Sequence, residues 1–201
     1  MESGKTLTRE HERQLIDRAK KSDAGALREL IDHHKDRLFA FIWRMVHDHH
    51  EAEDVCQDAF LKAFASLDTF SSEYRFSTWL FTIGYRVCLN RLRRKRAIST
   101  EVDFSAFSSN ETALGDEVLV SSDAAELRNA IWEAVDQLSP PQRAVVLLFY
   151  RQSLGCPEIG QIMQVPAATV KSHLHRARAR LRELLGDADA TSARNRGRSA
   201  V

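Results

Sequence analysis

Helical periodicity runs through almost all of this chain and fails in one place, and that interruption constrains the fold more than any other feature. Ala26, Leu27, Leu30 and Ile31 stand at i, i+3, i+4 spacing, and Leu38, Phe39, Phe41, Ile42, Met45 and Val46 continue the stripe. A second stripe takes Ala52, Val55, Cys56, Ala59, Phe60, Ala63, Phe64 and Leu67. A third takes Trp79, Leu80, Ile83, Val87 and Leu89 before meeting a basic block. From Ser99 to Ser122 the pattern gives way to Ser, Thr, Asn, Gly and acidic residues, which predicts a linker, because so long a structureless stretch is uncommon inside a compact domain. Periodicity returns at Ala124, with Leu127, Ile131, Val135 and Leu138 on one helix. Ser139-Pro140-Pro141 ends that helix and opens the next, which carries Val145, Val146, Leu148 and Phe149. With only 8 Gly and 4 Pro, the chain has few turn signals and suits helices better than strands. The expected fold is all-α: two small helical domains, 15–97 and 124–186, joined by a flexible acidic linker over 98–123. An extension over 1–14 precedes them, and a disordered basic tail over 187–201 follows.

Charge is segregated along the chain, so the formal net charge of +1 conceals its character. The stretch Ser99 to Ser122 holds Glu101, Asp103, Glu111, Asp116 and Glu117 with no Lys or Arg. Arg91, Arg93, Arg94, Lys95 and Arg96 stand just before it. A second basic block gathers Lys171, Arg176, Arg178, Arg180 and Arg182, then Arg194, Arg196 and Arg198. Two basic blocks around an acidic connector predict two contacts with a polyanion. No apolar run approaches the roughly 20 residues that cross a bilayer, and Met1 to Lys21 is charged throughout with no secretory signal, so a cytoplasmic protein without membrane insertion is expected. Cys56, Cys88 and Cys156 lack C-x-x-C spacing and read as reduced thiols. The run His47, His49, His50 lacks the two-histidine i, i+4 spacing of a zinc helix motif; a solvated helix end is expected there, with no metal and no cofactor. No nucleophile cluster or phosphate-cradling Gly loop is visible, which argues against an enzyme.

The most informative stretch is Cys156 to Leu185. Pro157 to Met163 reads as a short helix, Gln164-Val165-Pro166 as a turn, and Ala167 to Leu185 as a longer helix. Val170, Leu174, Ala177, Leu181 and Leu184 step by four, three, four and three, so they share a face. Lys171, His175, Arg178 and Arg182 step likewise along another, with Ser172 and Arg176 beside them. A basic, hydrogen-bonding face opposite an apolar one is what a helix reading the major groove needs.

Val165-Pro166-Ala167-Ala168-Thr169-Val170-Lys171-Ser172-His173-Leu174-His175-Arg176-Ala177-Arg178 resembles the final region of bacterial sigma factors of the extracytoplasmic-function (ECF) type. Upstream, Glu51-Ala52-Glu53-Asp54-Val55-Cys56-Gln57-Asp58-Ala59-Phe60-Leu61-Lys62-Ala63-Phe64, Phe76-Ser77-Thr78-Trp79-Leu80 and Leu138-Ser139-Pro140-Pro141-Gln142-Arg143 resemble further segments of that family, in family order. The resemblance covers about Leu15 to Leu185. It implies region 2 over 15–97, which binds the polymerase core and recognises and melts the −10 element, and region 4 over 124–186, which reads the −35 element. Asp54, Gln57, Asp58, Phe60 and Lys62 would then dock on the clamp helices, and the C-terminal domain on the flap. Ser72, Glu73, Tyr74, Arg75, Phe76, Thr78, Trp79, Arg86, Asn90, Arg91 and Arg94 would meet the −10 DNA, double-stranded and melted. Aromatic rings can hold unstacked bases while basic side chains follow the backbone. Thr169, Lys171, Ser172, His175, Arg176, Arg178 and Arg182 would contact the −35 DNA. The acidic linker would thread the polymerase, and an anti-sigma factor is an expected partner.

The chain departs from the family pattern in places that bear on promoter choice. Phe70-Ser71-Ser72 replaces a common Phe-Arg-Gly, Arg86 stands where Asn is common, and Ala168 and His173 replace the usual Gly and Arg. Two other readings fit part of the pattern. A polymerase-independent helix-turn-helix regulator would explain the C-terminal half, and a module binding RNA or single strands would explain the basic blocks and rings.

Overall fold

The computed structural model describes residues 7–101 and 122–198. Among them stand eight α-helices and no strand: α1 (Arg9–Ala19), α2 (Ala24–Val46), α3 (His49–Ala65), α4 (Phe76–Glu101), α5 (Ser122–Asp136), α6 (Pro140–Val146), α7 (Cys156–Met163) and α8 (Ala167–Arg198). The chain divides into two compact units, Met1–Phe107 with Pro157–Val165 and Ser108–Cys156 with Pro166–Val201.

In the first unit the starts of α1, α2 and α3 are each set by a local oxygen. Thr8 accepts from the His11 amide at 3.3 Å, Asp23 from Gly25 and Ala26 at 2.9 and 3.2 Å, and Asp48 from Glu51 at 2.8 Å. Arg18 also donates to Asp23 at 2.8 Å, and this bond, with the helix amides, holds the Asp23 carboxyl below the usual carboxylate range. His47 takes the left-handed conformation, φ 61°, that ends α2 and frees Asp48 to open α3. Helices α2, α3 and α4 pack on one another, and α1 packs on α2. Leu15, Leu30, Leu38, Ile42, Met45 and Leu80 fill the core. At Gly84 a Cβ would lie 2.9 Å from Leu38 Cδ1, and Leu38 is itself fully buried, so the close approach of α4 to α2 depends on glycine there.

In the second unit Pro140 and Pro141 open α6 where their missing N–H groups cost nothing, and the Ser139 amide donates to Gln142 at 3.3 Å. The helix widens into a π-helical turn over Leu147–Arg151, closed by Gln152 N–H to the Leu147 carbonyl at 3.3 Å. Both α5 and α6 lie against α8, and Val135, Leu138, Val145, Leu148, Val170 and Ala177 are buried. Arg143 is buried too: its guanidinium donates to the carbonyls of Asp136 and Leu138, orphan acceptors at the end of α5. Burial lowers its pKa, opposed by Asp136.

Two expected ends move, and 157–165, expected in the second domain, groups with the first unit. Helix α1 starts at Arg9, so the segment 1–14 is not all extension: Leu15, Ile16 and Ala19 bury one face of a helix that Thr8 caps. At the other end α8 continues to Arg198, so the tail expected to be disordered is helical through that residue. No proline falls in 187–198 to stop the helix, and its three alanines and three arginines favour continuing it against the Asp, Thr, Ser, Asn and Gly between them. The expected linker, apart from its helical ends at 98–101 and 122–123, lies outside the described residues.

Candidate nucleic-acid and protein interfaces

Helix α3 buries Ala52, Val55, Cys56, Ala59 and Ala63, which leaves Asp54, Gln57, Asp58 and Lys62 exposed on the opposite face at i, i+3, i+4 and i+8. Leu61 sits among them with 68% of its surface exposed, and sequence reasoning missed it. Its signal was available: Leu61 falls out of phase with the apolar stripe beside it. Phe60, expected in this face, is a correction. It is buried, its ring stacked 5.9 Å from Phe64, because position 60 belongs to the inward stripe.

Beyond α3 a turn over Leu67–Thr69 leads to an exposed loop, where Ser72, Glu73, Tyr74 and Arg75 all face solvent. The loop is tied at its root. Lys20 Nζ donates to the Phe70 carbonyl at 3.3 Å, and Phe70 packs against Phe76 and Trp79 at ring distances of 5.7 and 5.4 Å. Phe76 is fully buried and lies 5.2 Å from the ring of His34, whose Nε2 stands 3.2 Å from Glu12 Oε1. Phe76 and Thr78 are therefore corrections as contact residues, since neither offers a free surface to a ligand. They hold the start of α4 in place, while half-buried Trp79 keeps an accessible edge. A groove of about 240 Å³ separates this loop from α1, lined by Arg9, Arg13, Ile16, Lys20, Phe70 and Tyr74 among others. The contribution of α1 was not legible because its charged residues carry no motif. Arg86, Asn90, Arg91 and Arg94 are exposed along α4, and Arg91 and Lys95 reach Glu51 at 3.5 and 3.4 Å.

On the C-terminal side, α7 ends in a turn where Gln164 adopts φ 56° and the Val165 amide donates to the Gly160 carbonyl at 3.0 Å. Pro166 then accepts from Thr169 at 2.9 Å and opens α8. Val170, Leu174 and Ala177 are buried; Lys171, Ser172, His175 and Arg176 are exposed and line one shallow depression. Arg182 is exposed further along, and Thr169 is half-buried. His173 is half-buried as well, and burial, then the neighbouring Arg176 charge, lowers its pKa. Arg178 is half-buried and held by aromatic rings. Its Nε donates to Tyr150 Oη at 2.9 Å, and its guanidinium lies 5.5 and 5.7 Å from the Phe149 and Tyr150 ring centres. The helical step puts Arg178 beside the π-helical turn, where it braces aromatic rings.

Residues 30–98 match the family described as Sigma-70 region 2, and residues 128–181 match Sigma-70, region 4. The chain is 33% identical over 178 residues to the ECF RNA polymerase sigma factor SigW of Bacillus subtilis (strain 168), covering 86% of this chain and 95% of that one. It is 30% identical over 172 residues to the ECF RNA polymerase sigma-E factor of Escherichia coli (strain K12), covering 82% and 88% respectively. Among solved structures it is similar to sigma factor RpoE in complex with the anti-sigma factor NepR from Bartonella quintana, with TM-score 0.67, 25% identity, and coverage of 79% of this chain and 96% of that one. It is also similar to CnrH in complex with the cytosolic domain of CnrY, with TM-score 0.65, 25% identity, and coverage of 89% and 98%.

Proposed function

The chain belongs to the ECF RNA polymerase sigma factors, and from that membership we propose how its surfaces divide the work of transcription initiation. As a sigma factor it binds RNA polymerase core and directs it to promoter DNA. We assign region 2 to 15–97, region 4 to 124–186 and the connector to 98–123. The exposed face of Asp54, Gln57, Asp58 and Lys62, with Leu61 at its centre, docks on the clamp helices of the polymerase. The loop Ser72 to Arg75, the edge of Trp79 and the row Arg86, Asn90, Arg91 and Arg94 engage the −10 element as it melts. Lys171, Ser172, His175 and Arg176 read the −35 element, and Arg182 holds a phosphate. Catalysis stays with the polymerase, so the chain is not itself an enzyme and acts in the cytoplasm. No helix among the described residues is long and apolar enough to cross a membrane, which is compatible with that location. Since relatives were solved with NepR and with a domain of CnrY, we also assign control by an anti-sigma factor.

The observation that carries this reading is the division of α8: Val170, Leu174 and Ala177 buried, Lys171, Ser172, His175 and Arg176 exposed together. A groove-reading helix has to keep its polar side chains free while its apolar face is held. The test is reconstitution. The purified chain should co-elute with core polymerase and direct run-off transcripts from a genomic library that share −35 and −10 elements. A chain that binds its operator tightly with no polymerase present, and yields no run-off product, would sink the assignment.

A further inference from the structure

We propose that His49, His50 and Glu53, at the head of α3, form a surface site for one divalent transition-metal ion. The sequence suggested a solvated helix end, because no two histidines stand four apart. The helix supplies a different chelate. Neighbouring residues on a helix do not face one another, but positions i and i+1 both reach the residue at i+4 of the first. His49 Nδ1 lies 3.6 Å from Glu53 Oε1, and His50 Nδ1 lies 3.7 Å from Glu53 Oε2. Three ligand atoms, one from each residue, fall within 4.8 Å of one another.

Those separations are long for hydrogen bonds, which close near 2.9 Å. Ligands each about 2.0–2.1 Å from one ion stand about 3.3 Å apart at the tetrahedral angle, so the three atoms, now within 4.8 Å of one another, have to draw together to hold one. All three side chains are exposed, so the closing movement disturbs at most the contact of His49 with the half-buried Phe39 ring, 5.3 Å away. Asp48 is already occupied as the helix cap, which leaves the trio free of competition for the first-turn amide. Two imidazoles and one carboxylate favour zinc, nickel, cobalt or copper over magnesium or calcium. With three protein ligands the ion keeps at least one open position, filled by water.

The site adjoins the docking face, since His50 stands four residues before Asp54 and seven before Gln57 on the same side of α3. A bound dication would replace local negative charge with positive charge at the head of that face. This consequence rests on the docking assignment made above; the metal site does not.

The test uses the full chain and Ni2+ as probe. Equilibrium dialysis should show one equivalent bound, with the ring signals of His49 and His50 shifting together in NMR spectra. Glu53→Gln and His49→Ala should each weaken binding by about tenfold or more, while excess Mg2+ does not compete. If neither substitution changes the affinity, or the shifting signals belong to other histidines, the proposal is overturned. A second arm compares core polymerase binding with and without saturating Ni2+. Weakening in wild type but not in Glu53→Gln supports the coupling to docking. Metal binding that leaves core affinity unchanged overturns the coupling and keeps the site. Loss of core binding in a variant with Asp54 and Asp58 replaced by Lys, or its absence, judges the docking face independently.

Discussion

Arg176 and Arg178 stand two residues apart on one helix, and their surroundings give them different work. Arg176 is exposed beside Lys171, Ser172 and His175, whereas Arg178 is tied to Tyr150 and lies over Phe149. Arg176→Ala should therefore lower promoter affinity by roughly 1–3 kcal/mol and relax base preference at one −35 position. Arg182→Ala should weaken all sequences alike and flatten the salt dependence, as loss of a phosphate contact does. Binding measured across a −35 library separates the two, and uniform loss in both variants would remove Arg176 as a base reader. The periodic step of three and four placed Arg178 on the reading face, and no sequence rule could announce the rings that capture it, because their approach depends on the π-helical turn. The cysteines lend themselves to a separate check. Burial pushes the Cys56 thiol up to about 11 and the Cys88 thiol up to about 12. The reactive thiolate is scarce in both near neutral pH, and it forms in the unfolded chain first as pH rises past the ordinary thiol value of 9.0. In the native protein at pH 8, iodoacetamide should modify half-buried Cys156 and spare Cys56 and Cys88, with all three labelled in urea. Peptide mass spectrometry reads the outcome, and rapid native labelling of Cys88 would contradict its full burial.

Helices were legible where an apolar stripe met a capping residue, and less so where contact with another element decided the outcome. The stripes on α2 and α3 marked the buried faces because burial and spacing are one constraint. Asp54, Gln57, Asp58 and Lys62 emerged on the free face as the complement. Leu61 did not, although its phase sets it on that face, because the free face was read for charge and hydrogen bonding alone. Replacing Asp54 and Asp58 with Lys should weaken core binding in a pull-down while changing stability by no more than about 0.5 kcal/mol each, the usual scale for exposed positions. Unchanged retention of core polymerase by the double variant would retire this face as the docking surface. In the second unit, the element that depends most on one side chain is the junction of α5 and α6. Arg143 donates to the carbonyls of Asp136 and Leu138 from a buried position, so charge-assisted bonds satisfy the end of α5. Arg143→Leu should cost about 2–3 kcal/mol, measured as a lower urea midpoint. A loss below about 0.5 kcal/mol would show that water can replace it. The motif that ends at Arg143 was visible in the sequence, but its structural purpose was not, because the carbonyls it serves belong to backbone.

At the scale of the whole molecule, the acidic stretch distinguishes a sigma factor from a regulator that binds DNA alone. A regulator's linker has only to span, so its composition should matter little and its charge less. A connector that runs through the basic interior of the polymerase would instead place carboxylates against cationic walls, where nascent RNA must also pass. Among its acidic residues, Glu101 closes α4, while Asp103, Glu111, Asp116 and Glu117 lie outside the described residues. Changing all five to Ser keeps the length and removes the charge. DNA binding by Lys171, Ser172, His175 and Arg176 should then be unaltered, because that face depends on the packing of α8 against α5 and α6. Open-complex formation, or the yield of short abortive RNAs, should shift, and more so at low salt, where screening of the lost charges is weakest. The measurement is a paired one: promoter binding by the free protein, and abortive initiation by the reconstituted holoenzyme, each at low and moderate ionic strength. Initiation indistinguishable from wild type at both salts would end the threading idea and leave the docking and reading faces standing. Tight, specific promoter binding by the wild-type protein without polymerase would count against the sigma mechanism itself, because it would give the chain no need of the core to find its site.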